Sequence, residues 1–126
     1  MSNTKRRVLV GNSYPLSLVR RGEVRMTCPA VEELRAIASE SEVVSFWGHE
    51  NTRAVAEGVL GKSLRPSVAR PALSVSPEGR PMLDGETFDA CWVLSPDYVP
   101  GYRPAIGTEV GAESITGWSV VKLEWI

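Results

Sequence analysis

The sequence predicts one domain of the α/β (α+β) class, spanning residues 1–126: a mixed β-sheet of about five or six strands with two main helices packed on it. Three observations predict it. Val8-Leu9-Val10 and Val43-Val44-Ser45-Phe46-Trp47 are near-continuous apolar runs, as in strands covered on both faces. Two segments, one opening near Pro29 and one over Thr52–Leu60, carry apolar residues at helical spacing. The second half, rich in proline and glycine, holds the alternating runs Phe88–Ser95 and Trp118–Trp125, which read as strands.

In order, Arg7–Gly11 is a first strand, broken by Asn12-Ser13-Tyr14-Pro15. Leu16–Arg21 is a helical turn or ordered loop. Glu23–Thr27 alternates as a second strand. The first helix has Pro29 for its first turn, Glu32 and Glu33 at the positive end of its dipole, and Val31, Leu34, Ile37 and Ala38 on one face. It ends by Ser41. The strand Glu42–Trp47 leads through Gly48-His49-Glu50 to a second helix, with Asn51 and Thr52 as capping residues and Gly61 as its stop. Ala72–Ser76 is a strand, and Pro77–Arg80 and Asp84-Gly85 are turns. Pro96–Gly107 is a long ordered loop, Glu113–Gly117 a turn of helix, and Trp118–Trp125 the last strand. The apolar run before it places Trp47 in the core.

Composition excludes several classes. The chain of 126 residues is 43% hydrophobic and 23% charged, that of an ordinary globular domain. Its net charge of −1 offers no broad basic field, so duplex nucleic acid is not expected as a partner. No apolar run approaches a membrane span, and no secretory leader is read at the start, so a cytoplasmic protein is expected. Cys28 and Cys91 are far apart and read as free thiols. One histidine and two scattered cysteines make no ordinary zinc site, and there is no phosphate-binding P-loop, dinucleotide fingerprint or nucleophile elbow. Neither a cofactor nor a metal is expected. Of the fourteen cations eleven are arginine, whose planar fork suits discrete phosphate contacts.

Three groups carry candidate chemistry. At the central turn, His49 is the one side chain able to exchange protons near neutrality, beside a helix start whose free N–H groups suit an anion. Asn51 and Thr52 flank it. The second group runs from Asn12 to Arg20 and Arg21. The third is Tyr98, Tyr102 and Arg103, able to stack a base and grip a phosphate. Each also has a plain structural reading: a capped turn, a solvated face, a pinned proline-rich loop.

The run Ser45-Phe46-Trp47-Gly48-His49-Glu50-Asn51-Thr52 resembles the Gly-His-Glu-x-Thr turn of the viral type III CRISPR ring nucleases, small homodimeric anti-CRISPR proteins that cleave cyclic oligoadenylate without metal. The likeness covers roughly residues 7–70. It implies His49 as general acid and Asn12 as a ligand-facing residue. From Phe88 onward the chain departs from that family. Over its whole length, on Asn12–Arg21 and the Arg103 loop, it is similar to the Thoeris anti-defence protein 1 class of phage sponges. That resemblance implies a homo-oligomer, dimer or hexamer, that sequesters a cyclic ADP-ribose isomer or cyclic oligonucleotide in the host cytoplasm without cutting it. The three residue groups and the resemblances together give as expected ligand-binding residues Asn12, Arg20, Arg21, His49, Asn51, Thr52, Tyr102 and Arg103. Sponge, ring nuclease, with His49 catalytic, and a phage structural or interaction protein with no small ligand stay open as readings.

Overall fold

Two sheets and two helices build the protein, described by a computed structural model over residues 6–19, 22–48, 50–66, 73–98 and 115–126; of residues 50 and 51 only their place in a helix is described. The elements are β1 (Arg7–Gly11), a 3-10 turn (Leu16–Leu18), β2 (Val24–Thr27), α1 (Val31–Glu40), β3 (Glu42–Ser45), α2 (Glu50–Leu60), β4 (Leu73–Val75), β5 (Pro81–Leu83), β6 (Glu86–Thr87), β7 (Ala90–Tyr98) and β8 (Ile115–Trp125). The main sheet has the order β2-β8-β7-β1-β3, and β4-β5-β6 form a second, antiparallel sheet. In the main sheet β1 runs parallel to both β3 and β7, while β8 runs antiparallel to β7 and β2. The fold is therefore mixed α+β, as the sequence predicts.

The main sheet is covered on both faces. Val8, Val10, Trp92, Leu94 and Val120 pack with Leu34 of α1 and with Ala56 and Leu60 of α2. Leu9, Cys91 and Leu123 point the other way and pack with Phe46, Leu83 and Phe88, under the small sheet. The alternation along β1 and β7 is the period-two rule applied to strands with two apolar faces, which is why both read as continuous apolar runs.

Several expectations are corrected. β3 ends at Ser45, so Phe46 and Trp47 form its exit and not its last residues. α1 begins at Val31, after Pro29, with Glu32 and Glu33 in its first turn. α2 begins at Glu50, so Asn51 and Thr52 lie within its first turn and do not cap it. Gly61 follows the helix at φ +71, as a glycine stop should. β5 and β6 are additional strands, joined by Asp84-Gly85 with both residues at positive φ, the hairpin geometry that an Asp-Gly pair favours. β7 runs on through Pro96 to Tyr98, and β8 begins at Ile115 where a helical turn was expected. Most of the expected Pro96–Gly107 loop lies outside the described residues. No helix among the described residues is long and apolar enough to cross a membrane.

Candidate functional site

Three parallel strands, β1, β3 and β7, point their carboxyl ends the same way. In sheets of this kind ligands bind outside the carboxyl ends of parallel strands, where the chain turns away. Here those turns are Asn12-Ser13 after β1 and Phe46-Trp47-Gly48 after β3.

Local sequence fixes both turns. The Phe46 N–H donates to the Val10 carbonyl, 3.1 Å, extending the β1–β3 ladder by one bond. The Trp47 N–H then donates to Ser45 Oγ, 3.1 Å, which bends the chain. Phe46 and Trp47 consequently leave on opposite faces. Trp47, 3% exposed, joins the helix-side core, as expected from its run, and its Nε1–H donates to Thr52 Oγ1 in α2, 3.2 Å. The Phe46 ring lies against Gly11 so closely that a Cβ there would overlap its outer ring atoms. Glycine at the end of β1 is thus what lets the ring lie flat over the strand.

The two turns are tied together by one bond. The Gly48 N–H donates to Asn12 Oδ1, 3.1 Å, across 36 residues of sequence. This fixes the carboxamide: its oxygen is occupied by the backbone, and its two N–H groups are the donors it offers. Beside this bond lies an open hollow of about 460 Å³, walled by Asn12, Ser13, Leu18, Phe46, Gly48 and Leu73. It combines apolar surface with an amide and the hydroxyls of Ser13 and Ser17, and its size falls within the usual range for small-ligand sites of about 300–1,000 Å³.

A second hollow, about 500 Å³, lies at the opposite end of the sheet and includes Arg7, Glu86, Asp89, Lys122 and Glu124. Most of its charges are paired with one another or with neighbours, Arg7 with Glu42 and Glu86, Asp89 with Arg80, Lys122 with Glu124, while Arg6 also lines it. It sits at the amino ends of β1 and β7, so we place the candidate site at the other hollow, although this one is larger.

No protein-family model matches the chain, and no curated protein matches it. Solved structures do share its fold, among them B116 of Sulfolobus turreted icosahedral virus, at a TM-score of 0.55 and 13% identity, over 95% of this chain and 99% of that one. The neighbour is a viral protein. At that identity the likeness is one of fold alone.

Of the residues singled out in the sequence, Asn12 stands at the rim of the hollow. Thr52 is buried, 5% exposed, and its hydroxyl accepts from Trp47, so it supports the turn from within the core. Asn51 lies in the first turn of α2. His49, Arg20, Arg21, Tyr102 and Arg103 lie outside the described residues. Tyr98 is the last residue of β7, in the ribbon that β7 and β8 extend past the end of β1. Sequence reasoning missed Phe46, Leu18 and Leu73 as walls. Only Phe46 carried a signal: it precedes a turn and faces opposite to a core tryptophan. Among the described residues no group of three or more His, Cys, Asp or Glu is placed to hold a metal ion.

Proposed function

We propose that this protein is a viral counter-defence protein that binds and sequesters a cyclic nucleotide signal at the carboxyl ends of β1 and β3, within a homo-oligomer in the host cytoplasm. The observation that carries this reading is the Asn12–Gly48 bond. It leaves the two N–H donors of the carboxamide at the rim of a hollow whose walls combine Phe46, Leu18 and Leu73 with Ser13 and Ser17. A phosphate or base acceptor suits those donors, and an adenine or ribose face suits Phe46, Leu18 and Leu73. A hollow this size matches one nucleotide unit or a compact cyclic ADP-ribose isomer. Arg20, Arg21, Tyr102 and Arg103, by their chemistry, would supply further phosphate and base contacts. A viral protein as fold neighbour is in keeping with a viral origin.

The test is depletion. The protein is incubated with cyclic tetra-adenylate, cyclic ADP-ribose isomers and cyclic di- and trinucleotides, then denatured, and the supernatant is resolved by chromatography and mass spectrometry. A ligand that disappears and returns intact supports sequestration. Asn12→Asp keeps an oxygen for the Gly48 N–H but removes both donors and adds a negative charge. It should weaken capture by about ten- to a hundredfold, the worth of a hydrogen bond to a charged group. Depletion of no ligand, or full capture by Asn12→Asp, would remove the reading.

A second reading rests on position. His49 directly follows Gly48, whose N–H is tied to Asn12. If the captured ligand returns as linear pieces and His49→Ala abolishes that, the protein is a metal-independent ring nuclease with His49 as general acid.

A further inference from the structure

We infer that β2 pairs edge to edge with β2 of a second copy, about a two-fold axis through Val24, joining the two main sheets into one. This goes beyond the proposed ligand and does not depend on it.

Among the described residues β2 is an edge strand, paired only with β8. Its backbone direction can be read from one bond. The Ile126 N–H donates to the Glu23 carbonyl, 3.0 Å, so Glu23 turns its polar groups toward β8. In an antiparallel ladder the orientation alternates, so Val24 and Met26 turn their N–H and C=O groups outward to the free edge. A four-residue strand with two outward residues is short, and short charged edges ordinarily deter pairing. Here the charges do so selectively.

A two-fold axis normal to the sheet keeps each face of the strand on its own side. The outward residues must then meet outward residues, which leaves three registers in which the outward residues of β2, Val24 and Met26, face one another. Val24 facing Met26 sets Arg25 against Arg25 of the second copy, a like-charge pair at close range. Met26 facing Met26 sets Arg25 against Thr27 and leaves Glu23 facing Pro29. Val24 facing Val24 sets Glu23 against Arg25 of the second copy, and the reverse, giving two opposite-charge pairs. Glu23 and Arg25 are both exposed and available for them. In this register Met26, 61% exposed in one chain, lies over Gly22 of the second copy. Gly22 stands at φ +77 with open space where a side chain would be, so it has room for the methionine. Charge, backbone direction and the exposed methionine all select the register centred on Val24.

The experiment is analytical ultracentrifugation of the full chain without ligand, at about 1–100 μM and two salt concentrations. The wild-type protein should sediment at twice 13.7 kDa and dissociate more readily at high salt. Arg25→Glu and Glu23→Arg should each weaken the dimer by at least about tenfold, since each turns two attractive pairs into repulsive ones. The double variant carrying both changes swaps the charges and should restore the dimer. Val24→Pro removes an outward N–H that takes no part in the β8 ladder, so it should give a folded monomer, checked by circular dichroism and thermal melting. A monomeric wild type, a dimer indifferent to all these changes, or a charge-swapped variant that stays monomeric would each overturn the inference.

Discussion

Gly11→Ala is the sharpest probe of how the site is built. The new methyl group would enter the space of the Phe46 ring, overlapping its Cε1, Cε2 and Cζ atoms. Phe46 is 7% exposed, so the ring cannot swing aside without opening the core between the sheets. Overpacking of this kind costs about 1–3 kcal/mol. At roughly 4 °C per kcal/mol for a domain of this length, the melting temperature should fall by about 4–12 °C. The clash lies with the outer ring atoms, which leucine lacks. Phe46→Leu alone should cost about 1–2 kcal/mol for lost burial. Combined with Gly11→Ala it should cost no more than that, because the collision has gone. The double-mutant cycle should therefore show a favourable coupling of about 1–3 kcal/mol, the whole cost of Gly11→Ala, measured by urea unfolding. Since Phe46 walls the hollow, Gly11→Ala should also weaken ligand capture while Asn12 remains in place. Stability of Gly11→Ala within about 0.5 kcal/mol of wild type, or additive effects in the cycle, would show that the ring does not rest on Gly11.

Three further outcomes follow from the packing. Burial pushes the Tyr14 hydroxyl up to about 12, whereas an unfolded tyrosine ionises near 10. Between those values the unfolded chain gives up a proton that the folded one keeps, so stability falls as pH rises, and Tyr14→Phe should flatten that fall in urea titrations at pH 9 to 12. The same variant should leave stability at pH 7 unchanged or higher, because that hydroxyl has no hydrogen-bond partner among the described residues. Thr52→Val removes the acceptor for Trp47 Nε1–H and should cost about 0.5–1.5 kcal/mol by chemical denaturation, while Thr52→Ser, which keeps the hydroxyl, should cost less. Arg7 bridges Glu86 and Glu42, which hold it charged well above its ordinary range; because the pairs stand at the surface, Arg7→Gln should lower stability by less than about 1 kcal/mol, with the loss shrinking at high salt.

Elements decided by their own residues were legible in the sequence. β1 occupies Arg7–Gly11 as read, because three consecutive apolar residues flanked by charge and glycine leave little else. α1 has the expected core-facing Leu34 and Ala38, and β7 divides Trp92 and Leu94 from Cys91 and Val93 as its alternation requires. Elements decided by their partners were not. β5 and β6 have three and two residues, too few for any period, and exist through pairing with β4 and each other. Pro96 reads as a strand breaker. It stands within β7 because that strand has outrun β1 by then: the β1 pairing stops at Val93, leaving one side without a partner strand among the described residues for proline to disrupt. Ile115 and Thr116 are held in β8 by the same ribbon, against a local reading as helix.

The site divides along the same line. The tendency of a polar residue to stand at the exit of β1 is local, and Asn12 was found from it. What Asn12 does is not local: its oxygen meets Gly48 only because β1 and β3 lie parallel with Val10 beside Ser45, which brings both strand exits to one level. Thr52 shows the converse. From sequence it is a capping residue with a hydroxyl to offer a ligand, but a buried tryptophan five residues earlier takes that hydroxyl. The Phe46 wall depends on a third residue, Gly11, having no side chain at all. A ligand site here is the meeting of two strand exits, and each exit is shaped by the strand beside it. That is why Asn12→Asp and Gly11→Ala, neighbours in sequence, should fail differently: the first should weaken capture with stability intact, the second should weaken capture and stability together.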